Sequence, residues 1–157
     1  DIITFFYYYI SISSGSNYRS RGLVKKMYTM KDICKELNIT YETLKFYCNE
    51  GLVPNLKRDK NNHRIFDEDN LNWLRGLLCL RKCGMSIKDM KLYMEYCLQG
   101  QSSISQRQNM LENTREELLL RKEEIEECLN YIDKKQKYYN DVIDGKIEYS
   151  SYIIKGD

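Results

Sequence analysis

The sequence predicts a mostly α-helical chain with one small β hairpin and one long C-terminal helix. Three observations predict this fold class. Two short segments with helical apolar spacing flank a turn at residues 38–40, and a basic, polar segment follows at residues 56–66. The chain then holds no Gly or Pro between Gly100 and Gly145, where apolar residues recur every seven positions. With 157 residues, the chain has room for one compact domain plus an extension.

The first helical segment begins after Thr29, a residue suited to cap a helix N-terminus. Ile33 and Leu37 lie four residues apart and give this short helix an apolar stripe. Asn38 and Ile39 then begin a tight turn, and Thr40 is placed to cap the next helix.

The second helix is predicted over Tyr41 to Asn49, with Leu44 and Tyr47 at inward-facing spacing, and it ends before Gly51. Two helices joined by so short a turn form a helix-turn-helix unit, whose second helix enters the major groove of DNA. Taken alone, this segment also fits an ordinary helical hairpin.

The basic hairpin, or wing, is predicted between Leu56 and Phe66. The formal net charge of the chain is only +2, too small to indicate a nucleic-acid partner by itself. A local basic patch beside a reading helix is the expected electrostatic footprint of a DNA-binding domain, whereas without the flanking motifs it would be a solvated loop. The charged residues of this segment are Lys57, Arg58, Asp59, Lys60 and Arg64.

In the predicted long helix, apolar residues recur every seven positions from Leu111 to Tyr139, as in the contact seam of a coiled coil. The companion positions, three residues after each of them, are poorly suited to that seam; they are Thr114, Arg121, Cys128 and Lys135. About 40 helical residues span roughly 60 Å, longer than a domain of this size. The helix therefore needs a partner, and we expect a homodimer through residues 103–141. The predicted dimerisation residues are Leu111, Leu118, Ile125, Leu129 and Ile132.

Four linked motifs, at matching separations, resemble the MerR family of transcription regulators. They are Thr-Leu-Lys-Phe-Tyr at 43–47, Glu-Gly-Leu-Val-Pro at 50–54, Asn-His-Arg-Ile-Phe at 62–66 and Asp-Glu-Asp-Asn-Leu at 67–71. The family's Arg-Tyr is Lys45-Phe46 here, and its Gly-Tyr in the wing is Asn62-His63. Lys keeps the positive charge of Arg but loses its bidentate fork.

The resemblance implies a winged helix-turn-helix DNA-binding domain over residues 27–100 and a dimerisation coiled-coil helix over 101–143, antiparallel between protomers. A short tail follows at 144–157. Residues 1–26 are interpreted as a leader outside the fold, either disordered or non-native. A two-fold dimer predicts a pseudo-palindromic operator. The resemblance also implies two partners, double-stranded promoter DNA and RNA polymerase, and activation by distortion of a promoter with an overlong spacer. It implies a cytoplasmic protein with no membrane partner.

Candidate DNA contacts come from the second helix and the wing, because their polar side chains lie away from the apolar face. The resemblance makes Arg64 the wing arginine that clamps phosphate, and Phe46, Ile65 and Phe66 are expected in the core. The predicted contact residues are Tyr41, Glu42, Thr43, Lys45, Lys57, Arg58, His63 and Arg64.

The six cysteines include no Cys-x-x-Cys pair, which indicates reduced thiols rather than a disulfide framework. Where the metal-sensing branch of the family has a cysteine, this chain has Ser102-Ser103, so no metal and no cofactor are expected. Because only a short segment follows the predicted coil, we expect no large drug-binding domain. The single histidine lies on the wing and no Cys-His or carboxylate cluster occurs, which disfavours an enzyme.

Residues 73–84 resemble the family branch that responds to reactive aldehydes, nitric oxide or oxidants, and the sensing thiol of that branch falls at Cys79. Arg75 and Lys82 share its helical face, and nearby cations lower a thiol pKa. Cys83 could act as a resolving thiol. The alternative is that Cys79 is a small buried hydrophobe. The sequence thus predicts a stress-response regulator, with a noncovalent small-molecule ligand as the alternative effector.

Overall fold

The computed structural model describes residues 26–150 and residue 153, so the proposed leader, apart from Lys26, lies outside the described residues. The described part is mostly helical, with a small sheet and one long C-terminal helix, as the sequence predicts. In chain order the elements are β1 (Tyr28–Thr29), α1 (Met30–Leu37), α2 (Tyr41–Asn49), β2 (Lys57–Arg58), β3 (Arg64–Phe66), α3 (Glu68–Lys82), α4 (Ile87–Leu98), a 3-10 turn (Gly100–Ser103) and α5 (Ile104–Ile143).

The caps predicted for the first two helices are both present. Thr29 and Asp32 form a reciprocal capping box, in which Thr29 Oγ1 accepts from Asp32 N at 3.2 Å and Asp32 Oδ2 accepts from Thr29 N at 2.9 Å. Thr40 Oγ1 accepts from Thr43 N at 3.1 Å. Asn38 closes α1 in the left-handed conformation, with φ 51°. The helix-turn-helix prediction is confirmed.

The wing is part of a three-stranded antiparallel sheet in the order β1-β3-β2. The predicted hairpin is present as β2 and β3, and it pairs Lys57 with Ile65. The strand β1, which pairs Tyr28 with Phe66, was not predicted, because two residues are too short to show an alternating pattern. Its pairing brings the start of α1 against the wing.

One apolar core joins α1 to α4 and the sheet. The predicted inward residues Leu44, Tyr47 and Phe66 all lie in it. The prediction for Phe46 is wrong: its side chain is 44% exposed, because it lies on the outer side of α2. The buried apolar residues are Tyr28, Ile33, Leu44, Tyr47, Leu52, Val53, Phe66, Leu71, Leu74, Leu77, Met85 and Met90.

Polar side chains of α3 hold the loop that follows α2. Trp73 Nε1 donates to the carbonyl of Leu52 at 2.7 Å, and Asn70 Nδ2 donates to the carbonyl of Pro54 at 2.9 Å. Asn70 also completes a capping box with Asp67, the N-cap of α3. Because buried carbonyls that lack a partner are costly, these bonds fix the loop on α3. The reading helix and the wing are thus attached to one support.

The elements from β1 to α4 form the part of the chain that we call the head. Hydrogen bonds in the 3-10 turn after α4, the Ser103 corner, set the direction in which α5 leaves the head. Ser103 is fully buried, and its hydroxyl donates to the carbonyls of Tyr96 and Gly100. Arg107 Nη2 donates to the Gly100 carbonyl at 2.8 Å. No helix in the described part of the chain is long and apolar enough to cross a membrane.

The long helix α5 has two different faces. Near its start, Leu111 packs against the core of its own head, and Arg121 lies over Gly84. The companion positions Thr114 and Arg121 therefore lie on the side of α5 that faces the head, and the exposed stripe beyond them consists of heptad residues together with Leu129 and Ile143. Its exposed members are Leu118, Ile125, Leu129, Ile132, Tyr139 and Ile143.

Two glycines of the head predict opposite responses to alanine. Gly84, in the turn between α3 and α4, has φ +99°, and a Cβ there would overlap the guanidinium of Arg121. Gly84→Ala should lower the free energy of unfolding by about 1–3 kcal/mol. Gly76, inside α3, has no atom within 4 Å of an added Cβ, so Gly76→Ala should raise it by up to about 1 kcal/mol. Urea unfolding checks both; equal effects would contradict the assignment.

Candidate nucleic-acid interface

The reading helix α2 presents its first turns to solvent while its opposite face enters the core. Tyr41, its first residue, is 54% exposed. Lys45 Nζ lies 3.7 Å from Glu42 Oε2, and both side chains are largely exposed. Because an exposed pair of this kind is weak, an approaching phosphate can replace it. Thr43 shares a 2.8 Å hydroxyl–hydroxyl bond with Thr40, so its hydroxyl is oriented by the cap.

The turn of the wing is organised by the carboxylate of Asp59. Its Oδ1 accepts from the backbone N–H groups of His63 at 2.8 Å and Asn61 at 2.9 Å. The His63 N–H is the larger influence, and it holds the pKa of Asp59 below its ordinary value. Arg58 Nη1 donates to the Asn62 carbonyl at 2.7 Å, and Asn62 itself has φ 64°. The wing therefore has a defined shape.

Arg64 joins the wing to the end of the reading helix. Its Nη2 donates to Asn49 Oδ1 at 2.6 Å. A guanidinium has five N–H donors, so this bond orients the fork and leaves other donors for an anion. Sequence reasoning missed Asn49, because a contact across 15 residues depends on how the hairpin folds over α2.

A groove of about 430 Å³ lies between the start of α1, the start of α2 and the wing. It brings together four of the predicted contact residues: Tyr41, Arg58, His63 and Arg64. It also includes Lys31, which the sequence did not single out, because the short pairing of β1 with β3 places α1 there. The remaining lining residues are Thr29, Met30, Asp59, Asn62 and Ile65.

The other predicted contact residues lie outside this groove. Glu42, Thr43 and Lys45 occupy the neighbouring turns of α2, and Lys57 is exposed on β2. The interface thus has two parts, which are a cationic groove and an exposed helix face. Within residues 26–150 and 153, no group of three or more His, Cys, Asp or Glu side chains could hold a metal ion.

Cys79, the predicted sensor thiol, is partly buried on α3. Burial raises the pKa of Cys79, Lys82 acts in the opposite direction, and Cys83 adds to the rise. The expected net lowering of this pKa is therefore wrong, because the Lys82 charge is exposed to solvent, which weakens its field. Arg75 Nη1 donates to Asn72 Oδ1 at 3.1 Å, and its Nη2 lies 4.0 Å from Glu36 Oε2.

The other cysteines are also free thiols. Burial raises the pKa of Cys34, Cys48 and Cys97, although Arg107 acts in the opposite direction at Cys97. Cys128 is exposed on α5.

A helix-turn-helix with a wing, mounted on a long helix, defines the class of winged helix-turn-helix regulators. Residues 28–97 match the model of the MerR HTH family of regulatory proteins. An uncharacterized HTH-type transcriptional regulator of Haemophilus influenzae is 34% identical over 112 residues, which cover 71% of this chain and 83% of that protein. The chain belongs to the MerR family.

Solved structures agree with this assignment. The chain is similar to HiNmlR, described as a MerR family regulator lacking the sensor domain and bound to promoter DNA, with 32% identity and a TM-score of 0.67. The match covers 76% of this chain and 90% of HiNmlR. A MerR family regulator from Bacillus thuringiensis shows 29% identity and a TM-score of 0.64, over 73% of this chain and all of that one.

The raised pKa of Cys79 predicts slow alkylation near neutral pH. A raised pKa leaves less thiolate at pH 7.5, and the thiolate is the nucleophile. In variants that retain a single cysteine, Cys79 should react with iodoacetamide more slowly than the exposed Cys128, and its rate should keep rising with pH beyond the range in which an ordinary thiol titrates. Mass spectrometry of timed samples measures both rates. Faster alkylation of Cys79 than of Cys128 at pH 7.5 would contradict the raised pKa of Cys79.

Proposed function

We propose that this protein is a dimeric transcription regulator that binds promoter DNA through α2 and the wing. The observation that carries the proposal is the groove that places Lys31, Arg58 and Arg64 beside the exposed first turns of the reading helix. HiNmlR, which the chain matches over most of its length, is described as bound to promoter DNA. That likeness supports the same partner here.

The two parts of the interface suit two kinds of contact. Arg58, Arg64 and Lys31 line a concave surface that fits the phosphate backbone, which supplies affinity without reading sequence. Tyr41, Thr43 and neighbouring side chains of α2 are positioned to meet base edges in the major groove. Because Asn49 and Asp59 orient the wing, the phosphate contacts set how α2 enters the groove.

The dimer is proposed from the exposed apolar stripe of α5. Ile125, Leu129 and Ile132 are each at least half exposed in the single chain, and α5 extends about 60 Å, beyond the reach of its own head. A second copy of the helix can cover the stripe. In this dimer Leu111 contributes at most at the edge, because it also packs on its own core. We also propose the division into a DNA-binding domain up to residue 100 and a dimerisation helix from residue 101.

Two heads related by a two-fold axis would bind two half-sites of a promoter. A change in the spacing between the heads would then bend or untwist the promoter so that RNA polymerase can engage it. We place this activity in the cytoplasm. Distorting a site of this length costs on the order of 1–6 kcal/mol, which the two sets of phosphate contacts must offset. The regulator would therefore act through the shape of DNA.

An effector could act covalently at Cys79. This thiol lies on α3, the helix whose Trp73 and Asn70 hold the loop after the reading helix. An adduct that shifts α3 would move that loop and α2 together. Since burial raises the pKa of Cys79, the reaction needs a strong electrophile.

A noncovalent ligand is the second candidate effector, and a specific groove favours it. This groove, of about 370 Å³, lies between the α3–α4 turn and α5. Ser86, Asp89, Asn113, Thr114 and Glu117 give it a polar lining suited to a small molecule with hydrogen-bond donors. A ligand there would bridge the head and the long helix.

Selection from random DNA duplexes tests the function directly. The protein should enrich a pseudo-palindromic site whose two halves are one helical turn or a multiple apart, and footprinting should show protection of both halves. Recovery of no preferred sequence, with no protection at micromolar protein, would overturn the proposal.

Substitution in the exposed stripe should break the dimer. Ile125→Asp removes a large apolar side chain and places a charge in the seam, so the dissociation constant of the dimer should rise at least about 100-fold. Asn130→Asp, on the opposite side of α5, adds the same charge and should leave the dimer intact. Sedimentation velocity measures both. A wild-type mass for the Ile125→Asp protein at low concentration would contradict the interface.

Lys45 and Arg64 should contact phosphate. Lys45→Ala and Arg64→Ala should weaken binding to specific and nonspecific duplexes alike, and should flatten the slope of log K against log salt by about one unit per lost contact. Lys134→Ala, on α5 outside the proposed nucleic-acid interface, should change neither quantity. A loss of affinity confined to one operator base pair would show base readout and contradict the assignment.

Cys79→Ser distinguishes the two effectors. If an electrophile acts at Cys79, this variant should bind DNA normally and lose the transcriptional response, while Cys34→Ser and Cys128→Ser retain it. A reporter gene behind the selected operator measures the response to a reactive aldehyde. A full response from Cys79→Ser would show that this thiol is not the sensor and would favour the noncovalent ligand.

A further inference from the structure

His63 is the single histidine of the chain, and it stands in the groove that the wing forms with α1 and α2. Its Nδ1 lies 3.4 Å from Asp59 Oδ2, and its side chain is 75% exposed. The imidazole is therefore accessible to solvent, while the backbone N–H of His63 is held by Asp59.

The charges around His63 come from every element of the groove. Lys31 approaches from α1, Arg58 from β2 and Arg64 from β3, and α2 supplies the phenol of Tyr41. Asp59 is the single carboxylate among the lining residues, and its lowered pKa keeps it ionised. In the free protein these cations disfavour a further positive charge, and Asp59 favours it.

Bound DNA changes this balance. A phosphate backbone laid along the groove brings negative charges next to the cations and the imidazole, so the complex favours the protonated histidine more strongly than the free protein does. A proton that binds more tightly in the complex must in turn strengthen the complex.

We propose that His63 is a proton-operated DNA contact: its protonation adds a phosphate-binding cation to each wing, so that affinity for DNA rises as pH falls through the range near 6.5 in which histidine titrates. The proposal rests on the DNA-binding function given above and adds to it a regulation of the same site by pH.

The linkage has a defined sign and window. The window is the pH range in which histidine side chains ordinarily titrate. If DNA favours the protonated ring, affinity is lowest where His63 is neutral in both states, and it rises as pH falls until the ring is protonated in both states. Because the chain has one histidine, no second imidazole can produce this change. The ordinary pKa values of carboxylates lie below this window. Thiols whose pKa burial raises, such as Cys34 and Cys48, titrate above it.

The expected size follows from the same relation. A rise of one pKa unit on binding gives up to about tenfold in affinity for each wing, and so up to about 100-fold for a dimer that uses both. Each protonated His63 should also steepen the slope of log K against log salt by about 0.9.

The test is binding to a mixed-sequence duplex of about 30 base pairs at pH 5.5, 6.5 and 7.5, since phosphate contacts need no particular sequence. The wild-type protein should bind more tightly at pH 5.5, with a steeper salt slope. His63→Gln keeps the backbone bond to Asp59 but cannot be charged, so its affinity should be flat across this range. His63→Lys should be flat as well, and tight at pH 7.5.

The outcomes separate this proposal from the function on which it rests. Binding by the wild-type protein that is independent of pH, or a pH dependence that persists in His63→Gln, would overturn the role of His63 and leave DNA binding intact. Absence of binding at every pH would overturn both. A nuclear magnetic resonance titration of the His63 ring, with and without the duplex, checks the cause directly, because DNA should raise its pKa.

Discussion

The architecture depends on one constraint, which is that α5 carries an apolar stripe its own head cannot cover. Leu111 is close enough to the head to pack on its core, but Ile125 and Ile132 lie too far along the helix and remain about half exposed. Burial of apolar surface is the main favourable term in association, so such a stripe favours a second copy of the helix. Such a dimer would give two copies of the reading helix a common axis.

Within each head, a few polar bonds hold the surfaces that would meet DNA. Arg64 and Asn49 join the wing to the end of α2, and Lys91 Nζ on α4 lies 2.6 Å from Glu50 Oε2 at the same helix end. Because α4 leads through the Ser103 corner into α5, the end of the reading helix is connected to the long helix by short contacts. A shift of either helix therefore has a direct route to the other, through packed elements that move as units.

The sequence was sufficient for features that depend on neighbours along the chain. Thr29 and Thr40 identified both helix starts, because a capping side chain binds backbone N–H groups within three residues. The apolar faces of α2 followed from helical periodicity, with the exception of Phe46, where an aromatic residue was assumed to be buried. Aromatic side chains at a binding surface break that rule, and periodicity cannot distinguish the two cases.

Features that depend on contacts between distant parts of the chain could not be predicted from the sequence. The strand β1 is two residues long, yet its pairing with β3 is what brings Lys31 into the groove. The family motifs did identify Arg64, but its bond to Asn49 depends on the fold of the hairpin over α2. For Cys79, the nearby cations were visible in the sequence and the burial that outweighs them was not.

The distance between the two α5 helices' starting points tests the central claim most directly. A nitroxide amino acid at Ser105, an exposed residue one position into α5, can be measured by pulsed electron resonance in the intact protein. An antiparallel pair of helices of this length predicts a separation of about 60 Å, since a helix rises about 1.5 Å per residue. A separation near 20 Å would indicate parallel helices, and the absence of any dipolar coupling would indicate a monomer; either result would contradict the account.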